Sequence, residues 1–258
     1  MSFKDHFSTV SEGYALIRPT YPPNFFEALA RLAPARTRAW DVGCGSGQAT
    51  QHLAPLFQKI IATDASEAQI RAAPDLDNVT FAVAPAEDAA LIEDHSIDLI
   101  LASQSVHWFD LPQFYREVRR VARPGALVAL ITYLNHCIED PAIDATFQAF
   151  ARAILEAYWP PERALVESGY ATIDFPFTTL AESEIVRLFD PITRDWRKAD
   201  LIAYINTWSA VKEYRRKVGR DPIPMLDAAL AKVWPDPETP RRVTWPVAGR
   251  IGRVSAPG

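Results

Sequence analysis

The sequence predicts an α/β fold, a mostly parallel sheet with helices packed against it. Three observations predict it. Short apolar runs alternate with helically spaced stretches through the first half of the chain, the first run ends in a turn holding three glycines, and an acid closes the second run.

Each element follows in order. Residues 38–42 (RAWDV) read as the first strand, and residues 48–56 after the glycine-rich turn carry helical spacing. Residues 59–63 (KIIAT) are the second strand, stopped by Asp64; Ser66 is placed to cap the next helix, with Gln69 as its capping-box partner. Residues 79–83 are the third strand. Residues 97–103 (IDLILAS) are the fourth, nearly all apolar, as a strand buried on both faces should be. Residues 111–122 form a helix with Pro112 in its first turn, Arg123-Pro124-Gly125 ends it, and residues 126–132 (ALVALIT) are the fifth strand. The second half is less regular. A long amphipathic helix is expected over 141–159, stopped by Pro160-Pro161; a strand over 184–189; helices over 199–208 and 222–234; and a β-rich closing segment over 241–254 that completes the sheet. No repeat or linker divides the chain, so residues 1–258 are expected to form a single domain. Within it, 10–133 are the ligand-binding core, 134–240 are insertions covering one end of the sheet, and 241–254 close it.

Bulk composition excludes several classes. Of 258 residues 48% are hydrophobic, enough for a sizeable core, and the net charge of -5 is not the basic field of a nucleic-acid binder. The basic run over 212–220 (KEYRRKVGR) reads as a solvated helix face. Two cysteines, Cys44 and Cys137, imply no disulfide framework and suit a cytoplasmic protein. Residues 1–10 lack an apolar signal core, and no run approaches the roughly 20 apolar residues of a membrane span. No Cys/His pattern suggests a metal site.

The turn carries the chemistry. Asp41-Val42-Gly43-Cys44-Gly45-Ser46-Gly47 follows a strand and opens a helix; its glycines let the backbone turn sharply and approach a ligand, while the helix start offers free N–H groups to an anionic group. Asp64, 21 residues after Gly43, stands where an acid accepts hydrogen bonds from ribose hydroxyls. A dinucleotide site requires G-x-G-x-x-G, and Gln48 occupies the place of its last glycine. Asp41 before the turn favours a cationic ammonium over a pyrophosphate. The implied ligand has an amino-acid end and a ribose.

These residues resemble the motifs of class I S-adenosylmethionine-dependent methyltransferases. Asp41 to Gly47 is similar to the family's first motif, Asp64 with Ala65 to its ribose-binding acid, Ala86-Glu87-Asp88 to the segment beside adenine, residues 97–108 to the fourth-strand motif, and residues 123–127 to the turn into the fifth strand. Tyr14, Arg18-Pro19, Tyr21-Pro22, His107-Trp108-Phe109-Asp110, Thr207-Trp208-Ser209 and Trp245-Pro246 resemble the methyltransferase type 11 branch containing trans-aconitate methyltransferase. The resemblance implies a doubly wound, Rossmann-like sheet of seven strands, mostly parallel, with one antiparallel strand near its edge. It implies S-adenosyl-L-methionine as cofactor, S-adenosyl-L-homocysteine as product, and a small-molecule acceptor, with carboxylates as a candidate class. Neither nucleic acid nor membrane is an expected partner, and the expected assembly is a monomer or homodimer.

Site expectations follow. Asp41, Gly43, Cys44, Gly45, Gly47, Asp64, Ala65, Ala86, Glu87 and Gln104 are the expected cofactor contacts. His107, beyond the fourth strand with Gln104 and Ser105, is the candidate general base, with holding its loop by hydrogen bonding as the alternative. Tyr14, Arg18 and Tyr21 are candidates for a lid or acceptor contact, and Trp108 for packing over the cofactor or supporting its loop. Trp159, Tyr204, Trp208 and Tyr214 are expected to be core between cover and sheet, with lining an acceptor pocket as the alternative. The fourth strand is followed by Gln104-Ser105-Val106, without the N/D-P-P-Y/W motif of amino-methylating nucleic-acid enzymes. Two other readings stand beside a methyltransferase: a non-catalytic cofactor-binding protein on the same fold, and a nicotinamide-dependent oxidoreductase.

Overall fold

The computed structural model describes residues 18–255; Tyr14 lies outside the described residues. In chain order the elements are α1 (Pro23–Leu32), β1 (Arg38–Val42), α2 (Gln48–Leu53), β2 (Lys59–Asp64), α3 (Glu67–Arg71), β3 (Val79–Val83), β4 (Ile97–Ser103), α4 (Leu111–Val121) and β5 (Ala122–Tyr133). There follow β6 (Cys137–Ile138), α5 (Pro141–Phe150), α6 (Arg163–Glu167), β7 (Thr178–Thr179), α7 (Glu182–Ile185), β8 (Ile192–Trp196), α8 (Lys198–Asn206), α9 (Ser209–Val218), α10 (Ile223–Leu230), β9 (Arg241–Trp245) and β10 (Val247–Arg253).

Seven strands form the main sheet in the order β3-β2-β1-β4-β5-β10-β7. The β1–β2, β2–β3, β1–β4 and β4–β5 pairs are parallel; β10 runs antiparallel to both β5 and β7. The expected seven-stranded, mostly parallel sheet with one antiparallel strand next to its edge is therefore present. Because successive strand residues face opposite sides, Ala39, Leu99, Leu101 and Leu127 pack with Phe25, Leu29 and Leu53 on one face, and Trp40, Ile100 and Val128 pack with Phe114 and Val118 on the other. The strand order reverses between β1 and β4, where open α/β sheets place their ligands.

Local chemistry explains the element ends. The Ser66 hydroxyl accepts from the Gln69 N–H at 3.4 Å, as expected of a cap, but the Ser66 N–H is taken by Asp64 Oδ1 at 2.8 Å, so the box is not reciprocal through Gln69. The Asp110 carboxylate caps α4 through the Gln113 N–H at 3.2 Å. The helix expected over 141–159 keeps α bonding to Phe150, widens into a π turn over Ala151–Leu155, and tightens over Glu156–Tyr158 before the proline pair.

Two expectations for the second half are corrected. Residues 184–189 are helical, not a strand: the Glu184 carboxylate accepts from the Ala181 N–H at 3.0 Å and nucleates α7. The strand in this region is β8, whose Thr193, Arg194 and Asp195 are all exposed, so it shows no period-two signal. The closing segment is not one strand. Pro246 divides it; β9 joins β6 and β8 in a second, three-stranded sheet of order β6-β9-β8, and only β10 enters the main sheet.

Candidate functional site

The C-terminal ends of β1, β2 and β4 converge on the glycine-rich turn. Gly43, Gly45 and Gly47 all have left-handed backbones, and a Cβ on Gly43 would lie 2.5 Å from Ser105 Cβ. Ser105 is pinned there by donating to the Val42 carbonyl at 3.0 Å. Asp41 is fully buried. Its Oδ2 accepts from the Thr50 hydroxyl at 2.6 Å, while Oδ1 has no partner among the described residues. Burial pushes its carboxyl up to about 7, eased by the Thr50 hydroxyl and reinforced by the charge of Asp64. A buried carboxylate oxygen without a donor costs free energy that a cationic ligand group would offset.

Asp64 ends β2 as expected. Its carboxylate accepts from the Gly45 N–H at 2.9 Å and the Ser66 N–H at 2.8 Å. Within the turn, the N–H of Cys44 donates to the Thr63 carbonyl, that of Gly45 to the Asp64 carboxylate and that of Gly47 to the Cys44 carbonyl. Ala65 follows Asp64 and is half-buried, and Ala86 is buried. The Glu87 carboxylate accepts from the Asp110 N–H at 2.6 Å, tying the segment after β3 to the loop after β4. The Cys44 thiol is buried and pushed up by that burial, which makes it a packing group of the turn.

A cavity of about 110 Å³ opens beside the end of β4. Gln104, His107 and Trp108 form its wall on the sheet side. Gln104 holds a left-handed backbone at φ 58°, accepts from the Thr132 hydroxyl at 3.1 Å and donates to the Tyr21 hydroxyl at 3.3 Å. The His107 Nδ1 lies 2.9 Å from the Tyr170 hydroxyl. Burial, with the nearby Arg163 adding to it, pushes His107 down to about 4, so it is neutral at pH 7 and only weakly basic. The Trp108 ring lies 4.8 Å from the His107 ring and supports its loop.

The opposite wall comes from the insertions, which contribute Trp159, Arg163, Tyr204, Trp208 and Lys212. Arg163 stacks over Trp159 at 4.3 Å, pairs with Glu167 at 3.3 Å and contacts the Asn135 side chain. Arg18 lines the same cavity, donates to the Thr207 carbonyl at 3.3 Å and lies over the Tyr204 ring. Three cations therefore line the cavity, and among the described residues no carboxylate does. Among the described residues no group of His, Cys, Asp or Glu is placed to hold a metal ion.

Of the sequence-derived candidates, Arg18, Gln104, His107 and Trp108 line this cavity, while Asp41, the glycines and Asp64 lie at the turn. Tyr21 is not a lid residue: it is buried, stacked on Phe25 at 4.9 Å and packed against Phe26 and Tyr133. Trp159, Tyr204 and Trp208 pack as core aromatics but also wall the cavity. Sequence reasoning missed Arg163, Tyr170 and Lys212. For Arg163 a local signal exists: a cation just beyond the Trp159-Pro160-Pro161 break. Lys212 is hidden in a basic run that otherwise faces outward.

Comparison with known proteins accords with this geometry. Residues 40–130 match the family model described as a methyltransferase domain. A Dictyostelium discoideum protein described as a methyltransferase is 30% identical over 235 residues, covering 90% of this chain and 87% of that protein. A solved structure from Anaeromyxobacter dehalogenans, described as a type II methyltransferase, is 45% identical with a TM-score of 0.83, covering 93% of this chain and 99% of that one. A Saccharomyces cerevisiae protein described as an S-adenosylmethionine-dependent methyltransferase is 27% identical over 133 residues, 48% of this chain and 46% of that protein.

Proposed function

We propose that this chain, which belongs to the S-adenosylmethionine-dependent methyltransferases, methylates a carboxylate oxygen of a small acidic acceptor. The observation that carries the acceptor class is the cavity beside β4, lined by Arg18, Arg163 and Lys212 and by no carboxylate among the described residues. Such a cavity favours a ligand whose negative charge the cations offset on desolvation. Its size suits a small metabolite.

The residues present fit the cofactor. The partnerless Asp41 Oδ1 complements an ammonium, and the turn is open at Gly45, where a Cβ would meet nothing nearer than Gln69 Oε1 at 3.8 Å and the rest of the amino-acid end could approach. Asp64, with Ala65 beside it, would hold the ribose hydroxyls, Ala86 and Glu87 the adenine, and Gln104 the boundary with the acceptor. When bound, S-adenosylmethionine supplies a methyl group activated by its sulfonium charge.

The chain's own part is to bind, orient and exclude water. Arg163, fixed by its stack on Trp159, would orient the acceptor carboxylate, and Trp159 and Trp208, whose rings lie 5.1 Å apart, would keep bulk water out. A carboxylate acceptor is already ionised at neutral pH, so no general base is needed. This suits a neutral, weakly basic His107. The test is mass-spectrometric detection of methyl transfer from labelled S-adenosylmethionine to matched panels of mono-, di- and tricarboxylates, alcohols, amines and thiols. Methyl esters are expected only from acids, and Arg163→Met should lower kcat/KM by roughly 10- to 100-fold. Transfer to amines or thiols but to no acid would overturn the reading.

A further inference from the structure

The geometry points to Tyr170 as a positioning residue, whose phenol holds His107 in the neutral tautomer with its proton on Nε2, so that His107 offers a donor to the acceptor. The tautomer stands on its own; its use toward an anion rests on the acceptor proposed above.

Tyr170 has no expected role from the sequence, yet the fold goes to some length to place it. It is fully buried, and it is one of three non-glycine residues with left-handed backbones among those described; the others are His95 and Gln104. Gln104 lines this cavity and Tyr170 stands behind its wall against His107, so two of the three lie at or next to the site, where backbone strain is commonly retained for function. Gly169 before it is also left-handed, and a Cβ there would lie 2.7 Å from the Ala248 Cβ. Ala248 is the ladder partner of Thr132 across β10 and β5. The turn after α6 is thus seated on the sheet, held by the Tyr170 N–H donating to the Leu165 carbonyl at 2.9 Å, and it aims the phenol at His107.

A buried phenol needs a hydrogen-bond partner. The His107 Nδ1 lies 2.9 Å away, and the hydroxyls of Thr132, Tyr133 and Tyr21 are the other polar groups that act on the phenol or feel it. An imidazole nitrogen is a far stronger base than an alkyl hydroxyl, and a phenol is a more acidic donor than a neutral imidazole N–H. The O–H therefore donates to Nδ1. That leaves Nε2 to carry the proton of a ring that lines the cavity. Burial keeps the ring neutral near pH 7, so this single proton decides what His107 offers.

The test is long-range proton–nitrogen correlation on histidine-labelled protein near pH 7, with the His107 signals assigned by their loss in His107→Gln. In the wild type, Nδ1 should resonate as a pyridine-type nitrogen and Nε2 as a pyrrole-type nitrogen. In Tyr170→Phe, which keeps the ring and removes the donor, the share of the Nδ1-protonated form should rise roughly tenfold. An Nδ1-protonated wild type, or a ratio unchanged by Tyr170→Phe, would overturn the proposal. Malonate, titrated with S-adenosylhomocysteine present, probes the second step. A downfield shift of the Nε2 proton that is reduced severalfold in Tyr170→Phe is expected. Cavity resonances unmoved by malonate would overturn the anionic-acceptor reading and leave the tautomer result standing.

Discussion

Asp41 carries the clearest pH signature. Its carboxyl sits at about 7 in the fold, against about 4 unfolded, because burial outweighs the Thr50 hydrogen bond and Asp64 adds repulsion. The folded value is the higher one, so between about pH 4 and 7 the native state binds the extra proton. The ligand-free protein should lose stability as pH rises through that window, by up to about 1.4 kcal/mol per unit. An ammonium group beside Oδ1 favours the ionised form. Affinity for S-adenosylhomocysteine should therefore fall by up to about tenfold per unit as pH drops below 7, and Asp41→Asn should flatten that slope in calorimetric titrations. Asp98 makes the opposite case of a buried acid fully partnered. It accepts from the Thr37 and Arg38 N–H groups at 2.8 and 3.0 Å and pairs with Arg123 at 2.9 Å. Asp98→Ala should cost about 3 kcal/mol in urea denaturation, by stranding those donors. Asp41, the three glycines and Asp64 were legible in the sequence because one strand–turn–helix unit and the next strand end place them. Tyr170, which stands behind His107, and Lys212 were not, and Arg163 was marked only by the break before it, because tertiary packing sets how their segments approach the site.

At the scale of elements, the same backbone conformation has different consequences according to its surroundings. Gly43 and Gly125 both have left-handed backbones, at φ 65° and 79°. A methyl on Gly43 would strike Ser105 Cβ and Oγ at 2.5 and 2.6 Å, whereas one on Gly125 meets nothing within 4 Å. Gly125→Ala should cost only about 1 kcal/mol, the price of the strained backbone. Gly43→Ala should cost about 3 kcal/mol or more and abolish S-adenosylhomocysteine binding, since Ser105 and the turn must part to admit it. Urea denaturation of both variants measures the difference; equal losses would mean that Ser105 yields without disturbing the turn. The strands of the first half were readable because apolar runs buried on both faces, such as β4, stand out against their flanks. The second half was not, since β6 and β7 are two residues each and β8 is mostly exposed. At 184–189 a β-branched, apolar stretch outweighed the local capping by Glu184, and the wrong element was predicted.

Across the whole molecule, the two sheets share one bent ribbon. β5 pairs with β10 and, after Leu134–His136 on one side and Pro246 on the other, β6 pairs with β9. The Leu134 N–H donates to the Pro246 carbonyl at 2.8 Å within the bend, so the ladder passes from one sheet to the other with a hydrogen bond at the junction. One apolar cluster likewise runs from Phe26 and Leu29 through Ile131 and Tyr133 to Tyr204, Trp208 and Trp245. The insertions therefore lack a core of their own, and the cavity's two walls, Gln104 and His107 on one side and Arg163 and Lys212 on the other, are held by shared packing. The chain should unfold as a single domain. Five of its seven tryptophans lie beyond residue 134, so fluorescence reports mainly the insertions while circular dichroism reports the whole backbone. Their urea midpoints should coincide, and Trp245→Ala, which removes a fully buried ring and its hydrogen bond to Tyr204, should lower both together by about 3–5 kcal/mol of stability. A fluorescence transition at lower urea than the dichroism transition would mean instead that the insertions form a separable lid, able to open while the cofactor-binding sheet stays folded.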